Sequence, residues 1–200
     1  FHYENALAAV KALVKADYTP GSWSVFTAAL PAELTDAATD DALTTAIGEI
    51  AAAREKLLSV SVFTEYETRV TAHGALVEAE YTADSWAAYT AATTSADLSL
   101  TEASTNALVG AENTTLREAK KLLVTSAQHT ALYNDYAARV QTVNAWFVGS
   151  EWVNPGQYTD ASWAEFKTAM VGVDLTLEDT DTTLSLETAR DGIKIGRASV

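Results

Sequence analysis

The chain says one thing three times. Tyr18-Thr19-Pro20-Gly21-Ser22-Trp23-Ser24-Val25-Phe26 returns as Tyr81-Thr82-Ala83-Asp84-Ser85-Trp86-Ala87-Ala88-Tyr89, and again as Tyr158-Thr159-Asp160-Ala161-Ser162-Trp163-Ala164-Glu165-Phe166. A shared Y-T-x-x-S-W-x-x-[F/Y] at intervals of 63 and 77 residues makes this an internal repeat, and a repeat restricts the fold more than any composition does. Three units follow, at 1–58, 59–123 and 124–200.

Each copy reads as a helix start. With Thr19 as N-cap, Pro20 takes the first helical position, where its missing N–H costs nothing, and Ser22 and Trp23 fall at the third and fourth. Tyr18, just outside the cap, is placed to fold back on Trp23 as a hydrophobic staple. The same register pairs Tyr81 with Trp86 across Thr82, and Tyr158 with Trp163 across Thr159. Asp84 and Asp160 fall in first turns, where the helix dipole favours negative charge. Apolar spacing then runs three and four residues on, to Phe26 and Leu30, Tyr89 and Thr93, Phe166 and Met170, which is one helix face. Aromatics at helical spacing beneath a cap belong to a core rather than to a sugar platform.

The flanking segments supply two more helices per unit. Leu7, Val10, Val14 and Tyr18 form a stripe that predicts a first helix over residues 1 to 18. Pro31 ends the second helix. The polar stretch Thr35 to Asp41 then turns the chain into a third, with Leu43, Ala46, Ile47, Ile50 and Leu57 as its stripe. In the second unit Ser99 and Glu102 have capping-box spacing ahead of a stripe at Leu108, Ala111, Thr115, Ala119 and Leu122. The third opens on Tyr133, Tyr136, Val140, Val143 and Phe147, and closes on Leu184, Leu186, Ala189 and Ile193 before Gly192 to Gly196, which is poor helix. The expected fold is all-α: three three-helix bundles joined end to end into an elongated rod. The links at 57–63 and 122–126 hold no Pro or Gly, so helices should run on from unit to unit, with an extended crossing as the alternative because Val60, Val62 and Phe63 are β-formers.

Charge and residue usage exclude several functions. Thirteen basic against 27 acidic residues give a net charge of −14, which opposes nucleic-acid backbones and anionic membranes. No cysteine is present, so disulfides and thiolate sites are out. His2, His73 and His129 are scattered, and Asp179 to Asp181 lacks the glycine and terminal glutamate of a calcium loop, so these acids read as a helix start. No metal, cofactor or catalytic constellation is expected, and the chain reads as non-catalytic. A start at Phe1 suggests a piece of a longer protein.

One stretch stands outside the repeat. Fourteen extra residues in the second interval place an inserted loop near 146–157, holding Trp146, Trp152 and an Asn154-Pro155-Gly156 turn. Those tryptophans either cap the end of the bundle or, with Asn154, form the ligand-binding part of the chain, where an indole could stack on a sugar or pack on a partner.

The threefold motif, followed by Ala-rich amphipathic helices, resembles the FIVAR (found in various architectures) repeat of bacterial surface proteins. The match lies at Tyr18 to Phe26, Tyr81 to Tyr89 and Tyr158 to Phe166, and the surrounding helices cover nearly the whole chain. The resemblance implies a three-helix bundle in large secreted or cell-wall-attached proteins, including adhesins and multimodular glycoside hydrolases. There it would serve as a spacer or binding module with no catalytic residues. Partners it implies are a host glycan, an extracellular protein or a neighbouring module of the same protein.

Overall fold

The computed structural model describes residues 2–35 and 38–193. Phe1, the middle of the Thr35 to Asp41 turn and the end of the Gly192 to Gly196 stretch lie outside the described residues. The protein is mostly helical. Among the described residues nine helices run in order: α1 (His2–Lys11), α2 (Pro20–Ala29), α3 (Asp40–Arg54), α4 (Val60–Gly74), α5 (Ala83–Thr93), α6 (Asn106–Lys120), α7 (Ser126–Asn144), α8 (Asp160–Ala169) and α9 (Thr183–Gly192). The only strands among them are β1 (Phe147–Val148) and β2 (Glu151–Trp152), a short antiparallel hairpin after α7.

Threonine or serine starts most of these helices. Thr19, Thr39, Ser59, Thr105, Thr125, Thr159 and Thr182 all take extended backbone and accept a hydrogen bond from the N–H three residues on, satisfying one of the orphan donors of the first turn. Thr125 completes a capping box with Gln128.

The chain divides into two compact units: Phe1–Leu76 with Ala88–Leu122, and Val77–Ala87 with Leu123–Val200. In the first, α1, α2 and α3 enclose a core of Tyr3, Val10, Phe26, Ala46, Ile50, Ala53 and Leu57. Beside it, α4 and α6 bury Leu58, Phe63, Tyr66 and Val109. Consecutive residues Leu57 and Leu58 therefore belong to different cores. In the second unit α7, α8 and α9 surround Leu132, Tyr136, Val143, Trp163, Phe166, Met170, Leu186, Ala189 and Ile193.

The expected continuity of helices between repeats is overturned. Residues 57 and 58 are non-helical, and Ser59 caps a new helix. The reason is hydrogen bonding: the Leu58 carbonyl accepts from the Thr19 N–H at 2.9 Å and from Ser22 Oγ at 3.3 Å, while the Leu58 N–H donates to Ser22 Oγ at 3.0 Å. A helix through Leu58 would need those backbone groups for itself. The extended alternative holds, although Val60, Val62 and Phe63 themselves lie in α4. In the second unit the Val124 carbonyl repeats the pattern, accepting from Thr82 N–H at 3.0 Å and Ser85 Oγ at 3.2 Å.

Three helical readings also shift. The first helix stops at Lys11, and a 3-10 turn over Lys15–Asp17 leaves Val14 exposed and brings Tyr18 into an extended bridge with Ser59. The cap of α6 is Thr105, not Ser99, whose hydroxyl donates to Asp97. The α6 stripe is accordingly Val109, Asn113, Leu116 and Ala119, and Leu108 faces solvent. At the end of the chain Asp179 to Asp181 precede the Thr182 cap rather than entering the helix, and Leu184 is exposed.

A second threefold feature holds the connection before each third helix. The hydroxyl of Tyr3 accepts the Leu34 N–H at 2.9 Å. Tyr66 accepts the Leu100 N–H at 3.2 Å and donates to the Asp97 carbonyl at 2.8 Å, and Tyr136 does the same with Leu177 and Asp174 at 3.1 and 3.0 Å. Burial pushes the Tyr66 and Tyr136 phenols up from their ordinary value, and the carboxylates nearby add to it. Hydrogen bonds from Ser99 and Thr176 hold Asp97 and Asp174 below the usual carboxylate range.

These landmarks place the fourteen extra residues, and they are not all in one loop. Thr82 to Thr105 spans three residues more than Thr19 to Thr39; Thr125 to Tyr136 spans four more than Ser59 to Tyr66; Tyr136 to Tyr158 spans seven more than Tyr66 to Tyr81. The four are one added turn of helix at the start of α7, and only the seven belong to the hairpin segment.

Two outcomes follow from these contacts. A Cβ on Gly21 would lie 2.8 Å from the Glu102 carbonyl carbon and 2.9 Å from the Ala103 nitrogen, so Gly21→Ala should destabilise the first unit by about 1–3 kcal/mol in urea unfolding. An unchanged midpoint would show that the backbones do not approach so closely. Depressed carboxyl groups stabilise the fold above their unfolded pKa and lose that contribution as pH falls through the folded value. The melting temperature should therefore drop on acidification below the usual carboxylate range, and Asp97→Asn with Asp174→Asn should flatten that drop. Retention of the full acid dependence in the double variant would assign it to other groups.

Candidate functional site

The segment between α7 and α8 is built from its backbone outward. Past Asn144 the Trp146 N–H donates to the Val143 carbonyl at 2.9 Å, and the Val153 N–H returns to the Trp146 carbonyl at 2.7 Å. Between them Phe147 pairs with Trp152 and Val148 with Glu151, closed by Gly149 at φ 74°, a conformation that favours glycine. Asn154 then ends the excursion: its Oδ1 accepts the Gly156 N–H at 3.0 Å, its Nδ2 donates to the Tyr158 carbonyl at 2.9 Å, and Gly156 sits at φ 82°.

The two tryptophans point into the protein. Trp146 packs edge-on against Tyr158, Trp163 and Phe166, with ring centroids 5.6, 5.9 and 5.4 Å away. Trp152 meets Phe166 at 5.6 Å and Phe147 at 5.0 Å. Both are half-buried and lie against the second unit's core. Of the three proposed ligand-contacting residues, Trp146 and Trp152 thus cover the core and Asn154 fixes the turn. The side chains the hairpin offers to solvent are Phe147, Val148 and Val153, 47%, 62% and 50% exposed. Strand pairing could have revealed part of this: residues opposed across a two-stranded ribbon share a face, which puts Phe147 over Trp152, and neighbours along it do not, which turns Val148, Glu151 and Val153 to the other side.

The repeated aromatics are committed to staples. Tyr18 with Trp23, Tyr81 with Trp86 and Tyr158 with Trp163 stand 5.9, 5.8 and 5.8 Å apart. Phe26, Tyr89 and Phe166, three residues on from each tryptophan, are buried. The tryptophans differ: Trp163 is buried, whereas Trp23 and Trp86 are half-buried. Thr19 is 3% exposed and Thr82 is half-buried, but Thr159 is exposed.

A groove that sequence reading did not find runs along α4 in the first unit. Its volume is about 610 Å³, and Ala72, Leu76, Tyr89 and Leu116 give it an apolar floor. Glu65, Arg69, His73 and Lys120 line its rim. Arg69 Nε donates to Glu65 Oε1 at 3.2 Å, and a ring nitrogen of His73 is hydrogen-bonded to the Tyr89 hydroxyl. The hydroxyl of Thr68 donates to the Thr64 carbonyl. His129 is likewise occupied, with its two ring nitrogens 2.9 Å from Thr183 Oγ1 and the Asp179 carbonyl. Among the described residues no three His, Asp or Glu side chains gather as metal ligands would, and no helix is long and apolar enough to cross a membrane.

Compared with known protein families, curated proteins and solved structures, the chain matches none of them.

The packing separates the tryptophans by role. Trp163→Ala should cost the second unit about 3–5 kcal/mol, and Trp152→Ala, half-buried on the same core, about 1–3 kcal/mol in denaturant unfolding. Val148→Asp at the hairpin tip should stay within about 0.5 kcal/mol. If Trp152→Ala left stability intact, its ring would be free to serve a ligand.

Proposed function

We propose that the chain is a non-catalytic spacer and interaction module of a large bacterial secreted or cell-wall-attached protein, such as an adhesin or a multimodular glycoside hydrolase. In this reading the repeats are of the FIVAR kind, three bundles at 1–58, 59–123 and 124–200 joined end to end into a rod. The observation that carries it is the joint at Leu57-Leu58, where neighbouring residues are buried in two cores and the staple of one repeat is hydrogen-bonded to the start of the next. A joint so bonded resists bending, which is what a spacer requires. The acidic surface keeps such an array soluble and away from anionic surfaces.

A second reading is favoured by one observation: Phe147, Val148 and Val153 are exposed apolar side chains on the one element that the other repeats lack among the described residues. The module would then hold a glycan or an extracellular protein through that hairpin. Its exposed apolar side chains suit a protein surface better than a polar sugar.

Small-angle scattering tests the spacer reading. An extended particle is expected, and a radius of gyration of about 16–17 Å, that of one compact 200-residue domain, would overturn it. Reproducible capture of a glycan or host protein, lost in Phe147→Ser with Val148→Asp at unchanged melting temperature, would favour the hairpin reading instead.

A further inference from the structure

The repeats serve as controls for one another. Registered on Tyr3, Tyr66 and Tyr136, on the staple tyrosines, and on the caps Thr39, Thr105 and Thr182, one layer of side chains lines up across all three. In the first repeat it is Val10, Phe26, Ala46 and Ile50, and in the third Val143, Phe166, Ala189 and Ile193. All eight are buried in a core. The middle repeat carries His73, Tyr89, Glu112 and Leu116 instead. Val and Ala have given way to His and Glu, and Phe to a Tyr whose hydroxyl is hydrogen-bonded to His73 Nδ1.

The exchange weakens the middle bundle and opens it. Glu112 Oε2 and, on the next residue, Asn113 Oδ1 are buried with no hydrogen-bond partner among the described residues, and Asn113 as a whole is 6% exposed. The core cluster there is Leu58, Phe63, Tyr66 and Val109, with none of the four layer residues in it. His73, Tyr89 and Leu116 line the 610 Å³ groove instead. Leu76 lines it too, whereas its counterparts Leu13 and Trp146 pack against the cores of their own repeats. A packing rule kept in two repeats and broken in one, with polar atoms left unpaired, is the mark of a functional site. The groove also sets the chemistry of what fits, since a mostly apolar cleft of this volume is of the size that takes a small molecule. Ser59 N–H donates to Asn106 Oδ1 and Asn113 Nδ2 to the Val62 carbonyl, so α4 and α6 start together and run the same way, which brings Lys120 to the His73 end. Lys120 stands in a last turn, where the helix dipole favours a base in any repeat, as Arg54 does in the first. Only in the middle repeat does that base overlook this groove. Arg69 is paired with Glu65, and Arg117 and Lys121 share Glu118, but among the described residues no carboxylate is paired with Lys120, in a chain of net charge −14. With Nδ1 taken by Tyr89, Nε2 is the His73 nitrogen left for a ligand.

We infer that the groove of the middle repeat binds a small amphipathic carboxylate. The apolar body of the ligand, an acyl chain or an aryl ring, lies on Ala72, Leu76, Tyr89 and Leu116, and its carboxylate meets Lys120 with His73 as hydrogen-bond partner. The inference goes beyond the spacer and hairpin readings and depends on neither.

The probes are decanoate and naphthoate, titrated separately into the 200-residue chain and followed by NMR. Saturable shifts confined to residues 61–76, 89 and 116–120 are expected with at least one of them, and the tighter binder tells chain from ring. Replacing the probe by decanol or naphthol, or Lys120 by Gln, should each weaken binding about two- to fivefold at low salt. Lys120→Gln should leave the alcohols unaffected and, at an exposed position, leave the melting temperature unchanged. Ala72→Trp, which fills the floor, should block both probes. Failure of both carboxylates to saturate below about 1 mM would overturn the inference. So would equal binding of the alcohols, or shifts that spread to the exposed apolar residues Val171 and Leu184 and so mark mere adsorption.

Discussion

Everything in the first unit hangs on how one serine hydroxyl is used. Ser22 Oγ lies within hydrogen-bond reach of both the N–H and the carbonyl of Leu58, and the residue is fully buried. A buried peptide group that leaves a helix must find partners elsewhere or cost roughly 1–3 kcal/mol for each that does not. Ser22 and the Thr19 N–H meet that demand, so the chain can pass from one core to the next in extended form without orphaned backbone. The Y-T-x-x-S-W motif therefore does two jobs. Its Thr and Ser serve the helix end and the junction, while its Tyr and Trp close the apolar seam above them.

Gly21 belongs to the same arrangement. The 2.6 Å hydrogen bond from Thr19 Oγ1 to the Glu102 carbonyl draws the connection before α6 onto the start of α2, leaving no room for a Cβ at position 21. The other two copies carry Asp84 and Ala161 there. A side chain larger than glycine at those positions means that this close approach is special to the first staple, and it adds a contact the others lack.

What could be read from the chain, and what could not, follows the range of each interaction. The caps at Thr19 and Thr159 and the Tyr–Trp spacing are local, set within five residues, and they were legible. The junction was not, because Leu57-Leu58-Ser59 carries no breaker and its extended form is imposed by Ser22, 36 residues away. The tyrosine pins were missed although Tyr3 and Tyr66 each lie 15 residues before their staple tyrosine, a spacing that aligning the repeats on both ends would have exposed. Aligning on the staples alone put all fourteen extra residues beside Trp146. The hydrogen bonds of Tyr136 show instead that α7 gained a turn. The α6 stripe failed by one residue because Asp97 takes Ser99 into an Asx turn, leaving Thr105 to start the helix. The groove along α4 had no local signature at all, since its lining comes from three helices.

The hairpin shows why a non-repeated element need not offer its most conspicuous residues to a ligand. Seven additional residues replace the 3-10 turn that precedes the staple in the first two repeats. Any such replacement must still cover the same end of the core, and a large indole does that at low entropic cost. Trp146 and Trp152 are spent in this way, against Trp163 and Phe166. Because opposed residues of the ribbon share a face, fixing Trp152 inward also holds Phe147 over it, and the outer face is left to Val148 and Glu151. The sequence that makes the lid secure thereby determines what the lid shows to solvent: an apolar tip with one carboxylate, carried on a turn whose geometry Gly149 and Asn154 hold in place.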